Sequence, residues 1–338
     1  MTIVAVLGAG AVGARVARQL LTSDAVDQIV LRDTSAERLA RASRALGDRC
    51  RVEHHPFPGS LEADLVVVAT PQGTQLEVVN DAIAARCPAV LVGDGLAETI
   101  AVLRRSGDAS RVGVPVAVGS GFGPGLSCVL AAHATSWFDE VDEVHVAKAG
   151  TGGPACALVH HRALSRRSFD WRVDEGTGLG DWVRRAGGSG RELSWFPDPV
   201  GPRDCYRAAL PDPVLLHHAL PTVGRITARV AATRRDRLTA PLPMLSPPHV
   251  EGGTGAVRVE VRGRRGEASD VVVLGATERP AVAAAVVAAT TAEWLLAGRH
   301  RVAGMAGLAE MVEPLAFLSD LAARGLEASV FEGEGSLS

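Results

Sequence analysis

Ile3-Val4-Ala5-Val6-Leu7 runs straight into Gly8-Ala9-Gly10-Ala11-Val12-Gly13 and then Ala14 to Leu21, and this opening decides the fold. The apolar, β-branched run reads as a strand, and the stretch after the glycines suits a helix. Strand, GxGxxG and helix in that order form a dinucleotide-binding fingerprint. Gly8 permits the tight turn, Gly10 lets the backbone approach a diphosphate, and Gly13 lets the helix lie against the strand. The free N–H groups of the helix start then face the phosphates. Asp33 follows 20 residues after Gly13, at the end of a second strand over 28–31. A carboxylate there binds both hydroxyls of an adenine ribose and repels a 2′-phosphate. Gly8, Gly10, Ala11, Val12, Gly13 and Asp33 are therefore the cofactor-binding candidates.

The pattern continues outward from that turn. A helix is expected over 35–45, an extended piece at 51–54, and a strand at Leu65-Val66-Val67-Val68-Ala69. An unbroken apolar run of this kind suits a parallel strand covered on both faces. Ala69, Thr70 and Pro71 end it at the carboxyl edge, where such sheets bind ligands. Helices over 75–85 and 97–105 and strands over 89–93 and 112–118 complete a doubly wound α/β sheet of Rossmann type.

The texture then changes. Gly119 to Ser127 is a glycine-rich turn leading into a helix that reaches about Trp137. Strands over 141–148, 225–231, 257–262 and 271–274 alternate apolar and polar residues, as a mixed, largely antiparallel, open-faced sheet requires. An α+β substrate and dimerisation domain is expected over 126–304. Residues 1–125 and about 305–338 are assigned to the dinucleotide-binding domain, on the argument that the terminal strand at 328–331 returns there. An open-faced sheet must cover its second apolar surface, so a homodimer is expected. Helices are expected over 280–297 and 314–323, and the arginine runs at 234–237 and 262–266 read as solvated turns.

Composition bounds the class. The chain has 338 residues, 47% hydrophobic, with a formal charge of −3. That fits two domains with cores and gives no general attraction to nucleic acid or anionic membranes. Cys50, Cys87, Cys128, Cys156 and Cys205 show no CxxC or zinc-type spacing and read as reduced thiols in a cytosol. The N-terminal apolar run is used as a strand, and the Ala-rich stretch 281–297 contains Glu293 and reads as a buried helix, so no signal peptide or membrane span is expected. No metal site is expected either.

Hydride chemistry would be carried by a nicotinamide; the protein must hold the substrate and manage a proton. Lys148, the sole lysine among 35 basic residues, is the first catalytic candidate. Alternation puts it on the face of Val144 and Val146, just before the loop Gly150-Thr151-Gly152-Gly153-Pro154. A solvated strand end is the competing reading. Adjacent His160 and His161 diverge on any regular element, so one can face a cleft, with His161 the catalytic candidate and His160 the substrate-binding one. Asp204-Cys205-Tyr206-Arg207 offers Arg207 and Asp204 for substrate and Tyr206 for catalysis, although a regular strand cannot aim all of them into one pocket.

These residues resemble the saccharopine dehydrogenase-like oxidoreductases, including lysine dehydrogenases and carboxynorspermidine-type enzymes. The resemblance rests on the N-terminal GAGAVG, on Gly121-Phe122-Gly123-Pro124-Gly125-Leu126-Ser127, on Asp198-Pro199-Val200-Gly201 with Tyr206, and on Gly304 to Glu310 with Pro314. It implies a nicotinamide enzyme acting at a C–N bond of an amino-acid-derived small molecule. Gly93-Asp94-Gly95-Leu96 departs from the family pattern. Asp33 favours NAD; Arg32 and Arg38 beside it keep NADP open. The competing functions are a carbonyl or hydroxy-acid reductase of secondary metabolism and a non-catalytic dinucleotide-binding sensor.

Overall fold

The computed structural model describes residues 1–55, 62–174, 176–246, 248–249 and 252–331. Its first sheet holds β1 (Ile3–Leu7), β2 (Gln28–Asp33), β3 (Cys50–His54), β4 (Leu65–Val68), β5 (Ala89–Leu91) and β6 (Val116–Val118). They lie in the order β6-β5-β4-β1-β2-β3, all parallel. Val4, Val6 and all four residues of β4 are fully buried, because helices cover both faces. Those helices include α1 (Gly13–Leu21), α2 (Ala36–Leu46), α3 (Gln75–Ala84), α4 (Leu96–Leu103) and α5 (Ser106–Val112). Leu7 is in register with both Arg32 and Val68, so β1, β2 and β4 end together. The chain order reverses between β1 and β4, which opens a crevice at that edge.

One boundary differs from expectation. Residues 106–112 form α5, so Val112 ends a helix instead of beginning the strand expected over 112–118, and Gly113 in the left-handed region (φ 69°) caps it. The strand is left with three residues, β6.

After α6 (Leu126–Thr135) come β7 (Glu140–Ala149), α7 (Pro154–Ala163), the hairpin β8 (Ser168–Val173) and β9 (Gly180–Arg185), β10 (Glu192–Trp195) and β11 (Pro202–Arg207). Then follow α8 (Asp212–Ala219), β12 (Arg225–Ala231), α9 (Arg234–Thr239), and the long hairpin β13 (Gly255–Arg265) and β14 (Ala268–Glu278). The second sheet runs β10-β11-β12-β7-β13-β14, with β8 on the side of β12. Only the β7–β12 pair is parallel. Val144, Val146, Val257, Val259, Val261 and Ile226 face inward under α6. The other face carries ion pairs: Arg258 and Arg262 on Glu260, and Arg225 on Glu143. Alternation along β13 thus separates core from charge residue by residue.

The chain closes with α10 (Pro280–Leu296), β15 (Met305–Gly307), α11 (Leu308–Met311), α12 (Pro314–Ala322) and β16 (Ser329–Phe331). β15 pairs with β6 and extends the parallel sheet, but β16 pairs with β14. The terminal strand therefore lies in the second sheet, contrary to its expected return to the first. The β6 edge is already taken by β15, while β14 still offers an unpaired edge. α10, placed by sequence in the substrate domain, packs against α1, β4 and β5, its alanines allowing close approach. Among the described residues no helix is long and apolar enough to cross a membrane.

Neither arginine run is a plain turn. Residues 234–239 form α9, started by a capping box between Thr233 and Asp236. Arg262 to Arg265 complete β13, with a bulge between Arg262 and Gly263, where a Cβ would overlap the Glu140 carbonyl oxygen.

His217 adds a pH dependence to the stability of this domain. His217 on α8 stacks on Trp171 at 3.7 Å between ring centroids and meets Trp182 edge-on. Burial, aided by neighbouring His218, holds its pKa below the ordinary 6.5. The unfolded chain therefore binds the extra proton more readily, so this contribution is complete above pH 6.5 and is lost as pH falls through the folded value. His217→Phe keeps the stack and removes the titration. Its urea midpoint is expected to fall less below pH 6.5 than that of the native chain; equal pH dependence would refute the assignment.

Candidate active site

The crevice at the carboxyl edge of β1 and β4 widens into a cleft of about 300 Å³. One wall is the glycine turn with Asp33, Ala69, Thr70 and Pro71; the other includes Lys148, Gly150, Gly152, Gly153, Cys156 and His160. All nine sequence-derived cofactor candidates except Gly13 line it, and Gly13 sits directly beneath. Gly8 adopts φ +99°, and a Cβ there would stand 2.6 Å from the Ala69 carbonyl oxygen. A Cβ on Gly13 would overlap the Gly8 carbonyl oxygen, whereas Gly10 has open space before it. Among the described residues the amides of Gly10, Ala11 and Val12 make no backbone hydrogen bond. This is a cradle shaped for a diphosphate, lined by free donors.

Asp33 lines the cleft beside the glycine turn. Its Oδ2 accepts from Ala9 N–H at 2.7 Å and its Oδ1 from Ser35 N–H at 2.7 Å. Arg38 pairs with both oxygens. Burial pushes the carboxyl up, but Arg38 and the two amides outweigh it, so the net shift is downward. Arg32 turns away to Glu53, at 2.7 Å. Of the two arginines, only Arg38 borders the cleft.

On the opposite wall Lys148 is buried at the end of β7. Its Nζ donates to Gly123 O at 2.6 Å and lies 4.0 Å from Asp212 Oδ2. Asp212, wholly buried at the start of α8, accepts at Oδ1 from Ser127 Oγ (2.7 Å); among the described residues its Oδ2 has no hydrogen-bond partner. Lys148 is thus a buried cation with the buried Asp212 carboxylate beside it, and the solvated reading of this residue fails on burial.

Asp94, Cys156 and His160 stand next to it. Asp94 Oδ2 is 2.9 Å from His160 Nε2 and accepts from Cys156 Sγ at 3.0 Å. Burial opposes the Asp94 charge, but His160 and Lys148 outweigh it and bring the carboxyl to about 2. Burial and Lys148 lower the His160 pKa against the pull of Asp94; burial and Asp94 raise the Cys156 thiol well above its ordinary range.

Four candidates lie elsewhere. His161 faces away, its Nε2 2.9 Å from Leu242 O, because it sits about 100° around α7 from His160. Tyr206 is core, 1% exposed, with Arg237 over its ring. Arg207 pairs with Asp170 at 3.1 Å, and Asp204 with Arg191 at 2.9 Å. β11 lies beyond β12 from β7, so its residues cannot reach the cleft. Sequence reasoning passed over Asp94, Cys156, Asp212 and Ser127. Asp94 carried a signal: an acid between two glycines at the carboxyl end of β5, where the family pattern was broken. Cys156 stands four residues before His160, one helical turn; Asp212 and Ser127 meet across 85 residues and carried none.

No family model matches the chain, and neither does any curated protein. Among solved structures, a saccharopine dehydrogenase (L-Glu forming) from Saccharomyces cerevisiae superposes with a TM-score of 0.68 over 98% of this chain and 100% of that one, at 12% identity. GenD2 from gentamicin A biosynthesis, in complex with NAD, gives 0.47 over 98% and 96%, at 17% identity. A myo-inositol dehydrogenase from Corynebacterium glutamicum gives 0.46 over 98% and 99%, at 11% identity. Over 98% of its length the chain shares the fold of that saccharopine dehydrogenase.

Proposed function

We propose that the protein is an NAD-dependent oxidoreductase that transfers hydride at a C–N bond of an amino-acid-derived small molecule. The observation that carries this reading is the sharing of one cleft by a glycine cradle with unpaired amides and a buried lysine. Gly8 to Gly13 would hold the diphosphate, and Asp33 the adenosine ribose. Asp33 supports NAD, since its carboxylate would face a 2′-phosphate. The bound nicotinamide would supply the hydride. Lys148 has the chemistry to hold or release the proton that amine–imine interconversion requires, and Asp212 and Gly123 O fix its Nζ at the cleft. The motif resemblance and the fold shared with a saccharopine dehydrogenase favour nitrogen chemistry over simple carbonyl reduction.

The test is NADH consumption with a panel of 2-oxo acids and aldehydes, each with and without ammonia or an amino acid. Turnover that requires both the carbonyl and the amine is expected. Turnover with carbonyl alone would favour the carbonyl reductase, and binding of NADH without turnover of any pair would favour the sensor.

A further inference from the structure

Three donor atoms converge on the cleft wall. Asp94 Oδ2 stands 2.9 Å from His160 Nε2 and 3.0 Å from Cys156 Sγ, and that sulfur is 3.8 Å from the same Nε2. Cys156 and His160 are four residues apart on α7, so both leave the same helix face, and Asp94 reaches across from the bend after β5. This connectivity is not that of a nucleophile relay. In a relay the carboxylate and the nucleophile engage opposite ring nitrogens. Here both address Nε2, while Nδ1 is buried without a hydrogen-bond partner among the described residues. Three potential ligand atoms from different side chains, all within 4.8 Å of one another, can close on one ion as three corners of a tetrahedral centre with its fourth corner free.

We propose that Asp94, Cys156 and His160 bind a divalent transition metal of zinc type, with the open coordination position facing the cleft. Metal–ligand bonds of about 2.0–2.3 Å put tetrahedral ligands about 3.3–3.6 Å apart, so each pair need move only about half an ångström. The donor set selects the metal class. A thiolate and an imidazole favour zinc or cobalt, whereas magnesium and calcium require oxygen ligands. Charge also balances. Lys148 is offset by Asp212, which leaves Asp94 and a Cys156 thiolate to neutralise the dication, the thiol proton passing to solvent as the sulfur–metal bond forms. All three ligands border the cavity, so a small oxygen or nitrogen ligand entering it has access to the fourth position. The inference stands on these residues alone and does not require the dinucleotide reading.

The experiment is a titration of the chelator-treated full chain with Co²⁺ alone, followed by calorimetry and absorption, then displacement by Zn²⁺. One saturating ion per chain is expected, with a thiolate-to-cobalt charge-transfer band and the d–d bands of tetrahedral cobalt. The band reports Cys156, because the other four cysteines are buried. Cys156→Ser should erase it. His160→Ala and Asp94→Asn should each weaken binding at least about tenfold, and His161→Ala should leave it unchanged. Absence of saturable cobalt binding by the native chain would overturn the proposal even if a variant failed to fold. So would a band surviving Cys156→Ser, or native affinity in folded His160→Ala.

Discussion

Lys148→Met is expected to lower the unfolding free energy by about 3–5 kcal/mol, the usual cost of removing one partner of a buried ion pair, and to abolish turnover. Asp212 is wholly buried, its Oδ1 is satisfied by Ser127, and its Oδ2, without a hydrogen-bond partner among the described residues, faces the Lys148 ammonium 4.0 Å away. Without that cation a carboxylate is left in an apolar setting with one oxygen unserved. Pairing the change with Asp212→Asn removes the stranded charge and keeps an acceptor for Ser127. Denaturant unfolding should therefore recover most of the lost stability in the double variant while turnover stays absent. A single variant as stable as the native chain would contradict the ion-pair account. Recovery of turnover in the double variant would contradict the assigned role of Lys148.

Gly13→Val should act at the other wall, chiefly on coenzyme binding. The new Cβ would overlap the Gly8 carbonyl oxygen, a backbone atom that no side-chain rotation can move aside, and would press on Ala69 Cβ at 3.3 Å. The turn must open, which displaces the amides of Gly10, Ala11 and Val12 together. Loss of two charge-assisted hydrogen bonds at about 1.5–3 kcal/mol each predicts at least about 100-fold weaker NADH binding. Overpacking adds about 1–3 kcal/mol of destabilisation. Fluorescence titration of NADH against the folded variant measures the first effect and thermal unfolding the second. Native affinity in the variant would mean that the diphosphate lies elsewhere.

The two predictions differ in how they could be reached. Gly13 was readable from spacing alone, since GxGxxG on a strand–helix junction requires close backbone approach. The face of Lys148 also followed from the alternation of Val144, Val146 and Lys148, and the second sheet from the same period of two. What could not be read were contacts between elements distant in sequence. Asp94 meets His160 only because the ends of β5 and β7 border one crevice, and the Ser127–Asp212 hydrogen bond spans 85 residues. The Asp204–Arg207 cluster misled for a related reason. Local density of acid, phenol and guanidinium said nothing about strand order, and β12 separates β11 from β7. The terminal strand misled likewise, because either sheet offered an edge and sequence does not say which is already occupied.

The account as a whole rests on the cradle at Gly8–Gly13 holding a nicotinamide coenzyme, and calorimetric titration of NADH and NADPH into the folded native chain tests that most directly. Saturable binding of NADH, tighter than that of NADPH, is the predicted result. Absence of measurable binding by either coenzyme would contradict it.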